Sequence, residues 1–302
     1  MRPTLEQTVA LEARDGTRLA GTFYEPGDAC HTALLINSGT GIPRRFYRRF
    51  ASHAAQSGFA VLTYDYRGIG DSAPPSLRGC GVRYRDWGQR DVPSAINWLA
   101  ARHPDVPLAV VGHSTGGQQL GFADNAARVR AALFVAVSTG YWAGMPRPFG
   151  WLIYGLFRFY LPLVSPVFGY APAKKIGWGE NLPIGVAREW GSWCMEPDYL
   201  AAFLDGSGRL VSLDGRAFGD VYFDRLTCPI LAFGFEDDPI DTRKNVNGLM
   251  PLFTMAEVTQ RWWSAEEVGV RELGHLGFFR EGAGVRLWDE ALSWLRAKAG
   301  ST

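Results

Sequence analysis

Apolar and polar residues are grouped along the chain in short blocks that predict alternating strands and helices. Residues 7–13 and 18–24 are typical of β-strands, with Asp15-Gly16 as the turn between them. Further on, short apolar runs predict buried strands, and stretches with apolar residues on one side predict helices. The predicted strands are Ala33–Asn37, Phe59–Tyr64, Leu108–Val111, Ala131–Ser138 and Pro229–Gly234, and the predicted helices are Phe46–Ser57 and Asp91–Arg102.

This alternation predicts an α/β fold in which a mostly parallel sheet has helices on both faces. Residues 139–223 interrupt the pattern, because about ninety residues between two strands are far too many for one crossover connection. The interrupting segment is rich in Trp and Tyr, and between Thr139 and Gly179 it has basic residues but no acid. We therefore expect a core formed by residues 1–138 and 224–302, with residues 139–223 inserted over the sheet as a mainly helical cap.

Composition excludes several classes of protein. The 31 basic and 30 acidic residues nearly cancel, so a general nucleic-acid binder is not expected. The scattered cysteines form no C-x-x-C pair, which fits neither a zinc site nor a small disulfide-linked fold. The N-terminus has no apolar stretch of the length that a signal peptide needs, so a cytoplasmic protein is expected. The sequence leaves the oligomeric state open.

One segment, residues 148–170, is long, aromatic and nearly uncharged. Arg158 lies in its middle, and Pro162 and Pro166 interrupt its second half, which argues against a helix that spans a membrane. We expect this segment to be a buried or ligand-facing lid, and contact with a membrane is not expected.

The segment LAVVGHSTGG, residues 108–117, has the pattern of a buried strand that ends in a sharp turn before a helix. A serine on such a strained turn needs neighbours without bulky side chains two residues to either side, and Gly112 and Gly116 occupy those positions. The helix that follows directs free backbone N–H groups toward negative charge that develops beside the serine. The pattern predicts that Ser114 is a nucleophile.

A serine hydroxyl needs a base that removes its proton, and His275 is the best candidate for that base. It lies between two glycines in the loop Leu273-Gly274-His275-Leu276-Gly277, after the last strand. The side chain of the histidine next to the serine is expected to point away from the hydroxyl. The other histidines lie in a polar turn, in a helix, at a helix end and in the serine turn itself: His31, His53, His103 and His113.

The carboxylate that orients the histidine is expected at the end of a strand between the serine and the histidine. The strand that ends at Gly234 leads directly into Asp237 and Asp238. We favour Asp238, because Asp-Pro followed by the capping residue Thr242 suits a loop that presents a carboxylate before a helix. Asp237 is the alternative, and if it is unused it is a solvated loop acid.

The oxyanion that forms during acyl transfer needs two backbone donors. One is predicted to be the N–H of Thr115, directly after the nucleophile. The other is predicted in the glycine loop after the third strand, where Gly39 and Gly41 permit a close approach, and Thr40 is our choice. A dinucleotide-binding loop is excluded there, because the third glycine of that motif would fall at Arg44.

With these residues in place, the full chain resembles a serine hydrolase of the α/β-hydrolase superfamily. Within it, the chain is similar to a bacterial subgroup described only as predicted α/β hydrolases, which has no firm substrate. The resemblance implies the α/β-hydrolase fold and a Ser114–Asp238–His275 triad, with neither cofactor nor metal. The segments that carry it are Tyr64–Ser72, Gly112–Gln118, Gly140–Trp142, Gly179–Trp193 and Gly274–Arg280.

The expected reaction is hydrolysis of a small-molecule carboxylic ester or thioester, as in a carboxylesterase, through an acyl-enzyme on Ser114. If the tryptophans of the predicted cap line the pocket, the substrate has an apolar part, whereas they could equally only pack the cap onto the sheet. Two alternatives stay open: an acyltransferase that uses the same triad, and a binding protein without turnover. The tryptophans concerned are Trp142, Trp151, Trp178, Trp190 and Trp193.

Overall fold

A computed structural model describes residues 4–205, 209–211, 217–280, 282 and 284–300 of the chain. Parts of the predicted core (1–3, 281, 283 and 301–302) and of the predicted cap (206–208 and 212–216) therefore lie outside the described residues. The strands are β1 Leu5–Glu12, β2 Arg18–Glu25, β3 Thr32–Asn37, β4 Phe59–Tyr64, β5 Leu108–His113, β6 Val129–Val135, β7 Tyr170–Ala171, β8 Leu182–Pro183, β9 Arg209–Val211, β10 Ala217–Asp220, β11 Ile230–Phe235 and β12 Val258–Trp263.

Eight of these strands form one sheet, in the order β1-β2-β4-β3-β5-β6-β11-β12. Strand β2 pairs antiparallel with β1 and with β4, and every other neighbouring pair in the sheet is parallel. The predicted mostly parallel sheet is thus confirmed. Strands β7 with β8 and β9 with β10 form two small separate sheets in the segment between β6 and β11.

Helices lie in most of the longer connections between the strands. A π-helical turn at residues 87–91 joins α2 to α3, and another at 156–160 joins α5 to α6. The helices are α1 Arg48–Gln56, α2 Tyr84–Asp86, α3 Val92–Arg102, α4 Thr115–Leu120, α5 Phe149–Gly155, α6 Leu161–Phe168, α7 Ile184–Met195, α8 Arg243–Leu249, α9 Ala265–Val268 and α10 Gly284–Ala299.

The sheet is covered on both faces, since β3, β4, β5 and β11 are buried at every position. All of β5 is buried, and its alternate residues point to opposite sides. Val110 belongs to a core cluster with Ile96 of α3. Val111 belongs to a second cluster, with Phe50 of α1 and Leu292 of α10. One apolar strand thus contributes to two cores, as in other parallel α/β sheets.

Strand β6 is shorter than predicted, since it covers Val129–Val135 rather than 131–138. The backbone turns at Ala136, whose φ of 52° lies in the left-handed region that non-glycine residues rarely adopt. The N–H of Ala136 still bonds to the carbonyl of Phe233 in β11, at 2.9 Å, while the carbonyl of Val135 accepts the N–H of Ser114. The strand therefore ends at Val135, and its last carbonyl holds the serine turn.

Residues 149–168 form one continuous helical segment of two α-helices with the π-helical turn between them. Pro162 lies in the first turn of α6, and Pro166 lies inside α6. The expectation that the prolines break this stretch was therefore wrong, and at Pro162 the π-helical turn directly before α6 widens the helix where the ring follows. By length and composition, Phe149–Phe168 is apolar enough to cross a membrane, with 22% of it buried within the protein.

Replacing Phe50 with alanine is expected to destabilise the fold by about 3–5 kcal/mol, because a fully buried aromatic ring leaves a cavity behind. Phe50 is buried against Phe278, Phe279 and Trp288. Urea unfolding followed by circular dichroism measures the change. The matched control is Phe159→Ala, whose ring is exposed, and a loss as large as that of Phe50→Ala would contradict this account of the core.

Candidate active site

Ser114 lies on the sharp turn between β5 and α4. Its φ of 51° and ψ of −124° place it in a strained conformation, as expected for a nucleophile held up between a strand and a helix. Its N–H donates to the carbonyl of Val135, the last residue of β6, at 2.9 Å. The side chain is partly exposed, whereas its neighbours His113 and Thr115 are buried.

The glycines around this turn are required by close packing of the backbone. A Cβ atom on Gly116 would lie 2.2 Å from the carbonyl oxygen of Asn37 at the end of β3. A Cβ on Gly112 would lie 2.5 Å from the Cα of Gly117. No side chain can replace these hydrogens without moving backbone, so the two predicted small positions are explained by the contact of β3 and β5 with α4.

The structure brings the three side chains of the predicted triad into one hydrogen-bonded row. Nε2 of His275 lies 2.9 Å from Oγ of Ser114, and Nδ1 of the same ring lies 2.6 Å from Oδ2 of Asp238. The Asp238 carboxylate can only accept, so Nδ1 carries a proton and Nε2 of the neutral ring is free to accept the serine proton. The other carboxylate oxygen of Asp238 accepts the N–H of Ile240 at 2.8 Å.

Asp237 does not contact the imidazole, yet it is not simply a solvated acid. Its two carboxylate oxygens accept the backbone N–H groups of Leu273 and Gly274, at 2.8 and 2.9 Å. The two adjacent acids therefore diverge, as expected of neighbouring side chains in a loop. Asp238 contacts the ring of His275, and Asp237 holds the loop that carries that ring.

The two partners of the row shift each other's pKa. Burial alone lowers the pKa of His275, but the charge and hydrogen bond of Asp238 outweigh burial, so that the pKa is raised above its ordinary value. Burial raises the pKa of Asp238. The charge of His275 and the hydrogen bonds to the carboxylate outweigh this effect of burial, so the pKa of Asp238 is lowered. Asp241, fully buried nearby, has its pKa raised by burial and then by the charge of Asp238.

A second hydrogen-bonded row, which the sequence did not reveal, lies behind the first. The N–H of Gly39 donates to the hydroxyl of Tyr47 at 2.8 Å, and that hydroxyl donates to Nδ1 of His113, also at 2.8 Å. Nε2 of His113 then donates to the carbonyl oxygen of His275 at 2.9 Å. The row connects the glycine loop to the histidine loop. Burial lowers the pKa of His113 to about 3, so its ring stays neutral.

His113 points away from the serine hydroxyl, as expected from the sequence, but its role in this row was missed. So was that of Tyr47, which is fully buried in the predicted helix region after the glycine loop. A tyrosine on a helix face gives no sequence signal for a hydrogen bond to a histidine sixty-six positions later. Only the pairing of β3 with β5, which places the glycine loop beside the serine turn, brings the two together.

The two residues predicted to supply oxyanion donors are adjacent. The hydroxyl of Thr40 donates to the hydroxyl of Thr115 at 2.9 Å. Thr40 and Ser114 line the same cavity, and a Cβ on Gly39 would lie 3.4 Å from the Cβ of Ser114. The glycine loop thus lies directly beside the serine turn, and the backbone amides of Thr40 and Thr115 belong to the two segments that meet there.

A cavity of about 570 Å³, within the range of small-molecule sites, opens above Ser114 and His275. Its wall is mostly apolar and comes largely from the segment between β6 and β11. Trp178 and Trp190 line it, whereas Trp193 is buried against core aromatic rings and Trp151 is half exposed. The apolar lining residues include Met145, Ile153, Leu156, Phe157, Leu161, Leu182, Ile240 and Leu276.

Glu180 joins this inserted segment to the glycine loop. Its N–H donates to the carbonyl of Gly41 at 2.8 Å, and its carboxylate contacts Arg45 at 2.8 Å and Lys174 at 3.3 Å. A Cβ on Gly179 would lie 2.5 Å from the same Gly41 carbonyl oxygen. The two backbones are therefore in direct contact beside Thr40, and the cavity wall is fixed to the loop that flanks the serine.

Two kinds of polar group decide which chemistry is open to the part of the chain that the structure describes: clusters of metal-ligating side chains and the side chains beside the cavity. Within those residues, no group of three or more His, Cys, Asp or Glu side chains is arranged to hold a metal ion. The polar groups that converge on the cavity are a hydroxyl, an imidazole and a buried carboxylate, which is a donor set suited to nucleophilic chemistry.

A mostly parallel sheet with antiparallel first strands and a strained serine after β5 defines an α/β protein of the hydrolase type. A family model described as "Alpha/beta hydrolase family" matches residues 33–286. The chain therefore belongs to the alpha/beta hydrolase family, which supports an enzyme of the hydrolase kind. No protein among the curated proteins matches the sequence.

Solved structures are similar over almost the whole chain. A thermostable carboxyl esterase from Bacillus coagulans, solved with glycerol, has a TM-score of 0.63 at 13% identity, covering 99% of both chains. DcsB, solved with a substrate analogue, has a TM-score of 0.64 at 16% identity, covering 98% of this chain and 100% of its own. An esterase from Pyrococcus furiosus has a TM-score of 0.60 at 14% identity, covering 98% and 92%. At sequence identities of 13% to 16%, the similarity to these structures shows the fold alone.

The His275 ring is expected to titrate above its ordinary pKa of about 6.5, because the buried Asp238 carboxylate favours the charged ring. In Asp238→Asn the lowering effect of burial remains, and only the smaller effect of the Asp241 charge opposes it, so the pKa should fall below that value. Asp237→Asn is the matched control and should leave the pKa raised, since Asp237 contacts only backbone amides. NMR titration of the histidine Cε1–H signal measures both, and equal shifts in the two variants would contradict the contacts described.

Proposed function

We propose that this protein is a serine hydrolase that cleaves carboxylic esters or thioesters with an apolar moiety through an acyl-enzyme on Ser114. The observation that supports this most is the pair of hydrogen bonds made by His275, 2.9 Å to the serine oxygen and 2.6 Å to Asp238. A hydroxyl, an imidazole and a buried carboxylate in this order are the parts that nucleophilic acyl transfer needs.

In the proposed first step, Nε2 of His275 takes the proton of Ser114 while Oγ attacks the substrate carbonyl carbon. The negative charge that moves onto the carbonyl oxygen is held by the backbone amides of Thr115 and Thr40. Asp238 keeps Nδ1 protonated and stabilises the imidazolium that forms. The imidazolium then gives its proton to the departing alkoxide or thiolate, and the acyl group stays on Ser114.

In the second step, water replaces the alcohol. His275 removes a proton from the water, the resulting oxygen attacks the acyl carbon, and the proton passes to Oγ of Ser114 as the carboxylic acid departs. The segment between β6 and β11 acts as the cap, because it supplies most of the apolar wall above the serine. Such a wall favours a substrate with an alkyl or aromatic part.

A fluorophosphonate probe is expected to label the wild-type protein, because it reacts with serines that an adjacent base has activated. Ser114→Ala should abolish the labelling, and His275→Ala should slow it by about a thousandfold or more, since both belong to one unit. Mass spectrometry locates the label and measures the labelled fraction of the protein over time. Ser138→Ala, at a buried serine outside the row, is the control and should label like the wild type.

Failure of the wild type to react would contradict the proposed function and favour a binding protein. Labelling of Ser114 without hydrolysis of any ester would instead favour transfer of the acyl group to an acceptor other than water.

Among nitrophenyl esters, kcat/KM is expected to rise from acetate to medium chains, by up to about fourfold for each methylene that the cavity wall covers. Trp190→Ala, which removes part of that wall, should weaken the dependence on chain length. Trp151 lies outside the wall, so Trp151→Ala should leave the dependence on chain length unchanged. A maximum at acetate in the wild type would contradict an apolar substrate moiety.

A further inference from the structure

Exposed apolar side chains are concentrated in one segment of the chain. The structure describes nine large apolar side chains as exposed, and six of them lie between positions 151 and 176. Single exposed apolar residues are normal on a protein surface, whereas a contiguous group of them marks an interaction site. We call this group the exposed apolar face. Its members are Trp151, Leu152, Phe159, Leu163, Val167 and Ile176.

The face arises because the helical segment 149–168 is apolar on two opposite sides. Residues 153, 157, 161 and 165 follow one another at a spacing of four and are buried, and the first three line the cavity. Residues 159, 163 and 167 have the same spacing. They are offset by two positions from the buried set, which places them about half a turn away around the helix axis. They point outward, and Leu163 and Val167 are 70% and 73% exposed. A helix that is apolar all round needs an apolar environment on both sides.

The charged side chains within residues 139–179 all have the same sign, and one of them, Lys174, pairs at 3.3 Å with Glu180 just beyond that range. Between residues 139 and 179 the chain has four basic side chains, Arg147, Arg158, Lys174 and Lys175, and no Asp or Glu. All four are exposed. Three of them lie against aromatic rings of the same segment: Arg147 against Trp151, Arg158 against Phe159, and Lys175 against Phe168. Apolar and cationic groups thus alternate over one surface.

We propose that the exposed apolar face docks the protein on the surface of a lipid bilayer that contains anionic lipids. Apolar and aromatic side chains enter the boundary between headgroups and acyl chains, while Arg and Lys at the edge contact anionic headgroups. The sequence alone gave no reason to expect membrane contact. The outward-facing side of residues 149–168 changes that expectation.

The basic side chains near the exposed apolar face favour a bilayer, rather than a second copy of this chain, as the surface that this face contacts. In a symmetric dimer built on the face, the same surface of both copies would meet itself. The cations Arg147, Arg158 and Lys175 of both copies would then lie in one interface, to which residues 139–179 contribute no acid. Like charges brought together in this way oppose association, whereas an anionic surface neutralises them.

The segment cannot span the bilayer while the fold is intact. Ile153, Phe157 and Leu161 form the wall of the cavity on the inner side of the helices. Phe157 also packs edge-on against Trp190 of α7, with ring centroids 5.2 Å apart. Insertion across a membrane would remove these contacts and open the cavity, so the outer side rests on the bilayer and the inner side stays on the protein.

The cavity reaches the surface beside the same face. Ile176 is a member of the face and also lines the cavity, together with the exposed residues Arg45, Gly177 and Gly179. A protein docked through the face therefore presents the cavity entrance close to the bilayer. An apolar molecule dissolved in the lipid then reaches the cavity without first crossing water. The docking proposal itself concerns binding and does not rest on the proposed hydrolysis.

The test is co-sedimentation of the full chain with phosphatidylcholine vesicles made with and without phosphatidylglycerol. The wild type should sediment with the anionic vesicles, and salt at about 1 M, where the Debye length is about 3 Å, should weaken that binding. Leu163→Glu combined with Val167→Glu should lower the partition coefficient by about tenfold or more, because two side chains no longer enter the lipid. Met255→Glu is the matched control for an exposed apolar residue elsewhere, and should change binding by less than about twofold.

A second pair of variants tests the charge. Arg158→Gln combined with Lys175→Gln should lower the partition coefficient for anionic vesicles by about thirtyfold, as two cations near the surface are lost. Arg130→Gln is the control, because Arg130 lies near the amino end of β6, away from the strand ends that carry the serine turn. Thermal melts should show all variants folded, since each replaced side chain is exposed.

Three results would overturn the proposal: no binding of the wild type to either vesicle, equal losses in the control variants, or a dimer that Leu163→Glu dissociates in analytical ultracentrifugation. The last result would identify the occupant of the face as a second copy. Ser114→Ala should bind vesicles like the wild type, so a failure of the hydrolase proposal leaves this test unaffected.

Discussion

The contact between the backbone of the serine turn and the end of β3 is the constraint on which the site depends. Gly116 packs against the Asn37 carbonyl so tightly that a Cβ would lie 2.2 Å from it. The N–H of Ser114 is at the same time bonded to the last carbonyl of β6. Three neighbouring strands therefore fix one residue, and the unusual φ and ψ of Ser114 persist because the surrounding sheet determines them.

The other parts of the site are held by polar contacts between segments that are far apart in the chain. Asp237 binds two amides of the histidine loop, and the row from Gly39 through Tyr47 and His113 joins that loop to the glycine loop. Each group in the row donates one hydrogen bond and accepts one where it can, as buried polar groups require. The imidazole of His275 is thus oriented both through its ring and through its backbone.

Much of this arrangement could be predicted from the sequence, because it depends on local patterns. The apolar runs predicted the central strands, the two glycines predicted the serine turn, and elimination among five histidines left His275. The end of β6 was misplaced because the apolar run continues past Val135, whereas Ala136 leaves the strand at a φ of 52° that no local pattern marks. Tyr47, His113 and Asp237 were missed or undervalued because their partners are far away in the chain, and no local pattern marks such pairs.

The two imidazoles of the site lie next to each other, with ring centroids 5.3 Å apart, yet they behave as different kinds of group. His113 is sealed from water and would take up a proton only in strong acid, near pH 3. His275 holds its proton more tightly than an ordinary imidazole does. At every pH near neutrality the His113 ring is therefore uncharged, so His275 has no second cation beside it. The His275 ring can gain or lose a proton without repulsion from a charge on His113. Only one of the two histidines titrates in this range, whereas two ionising rings this close would titrate as a coupled pair.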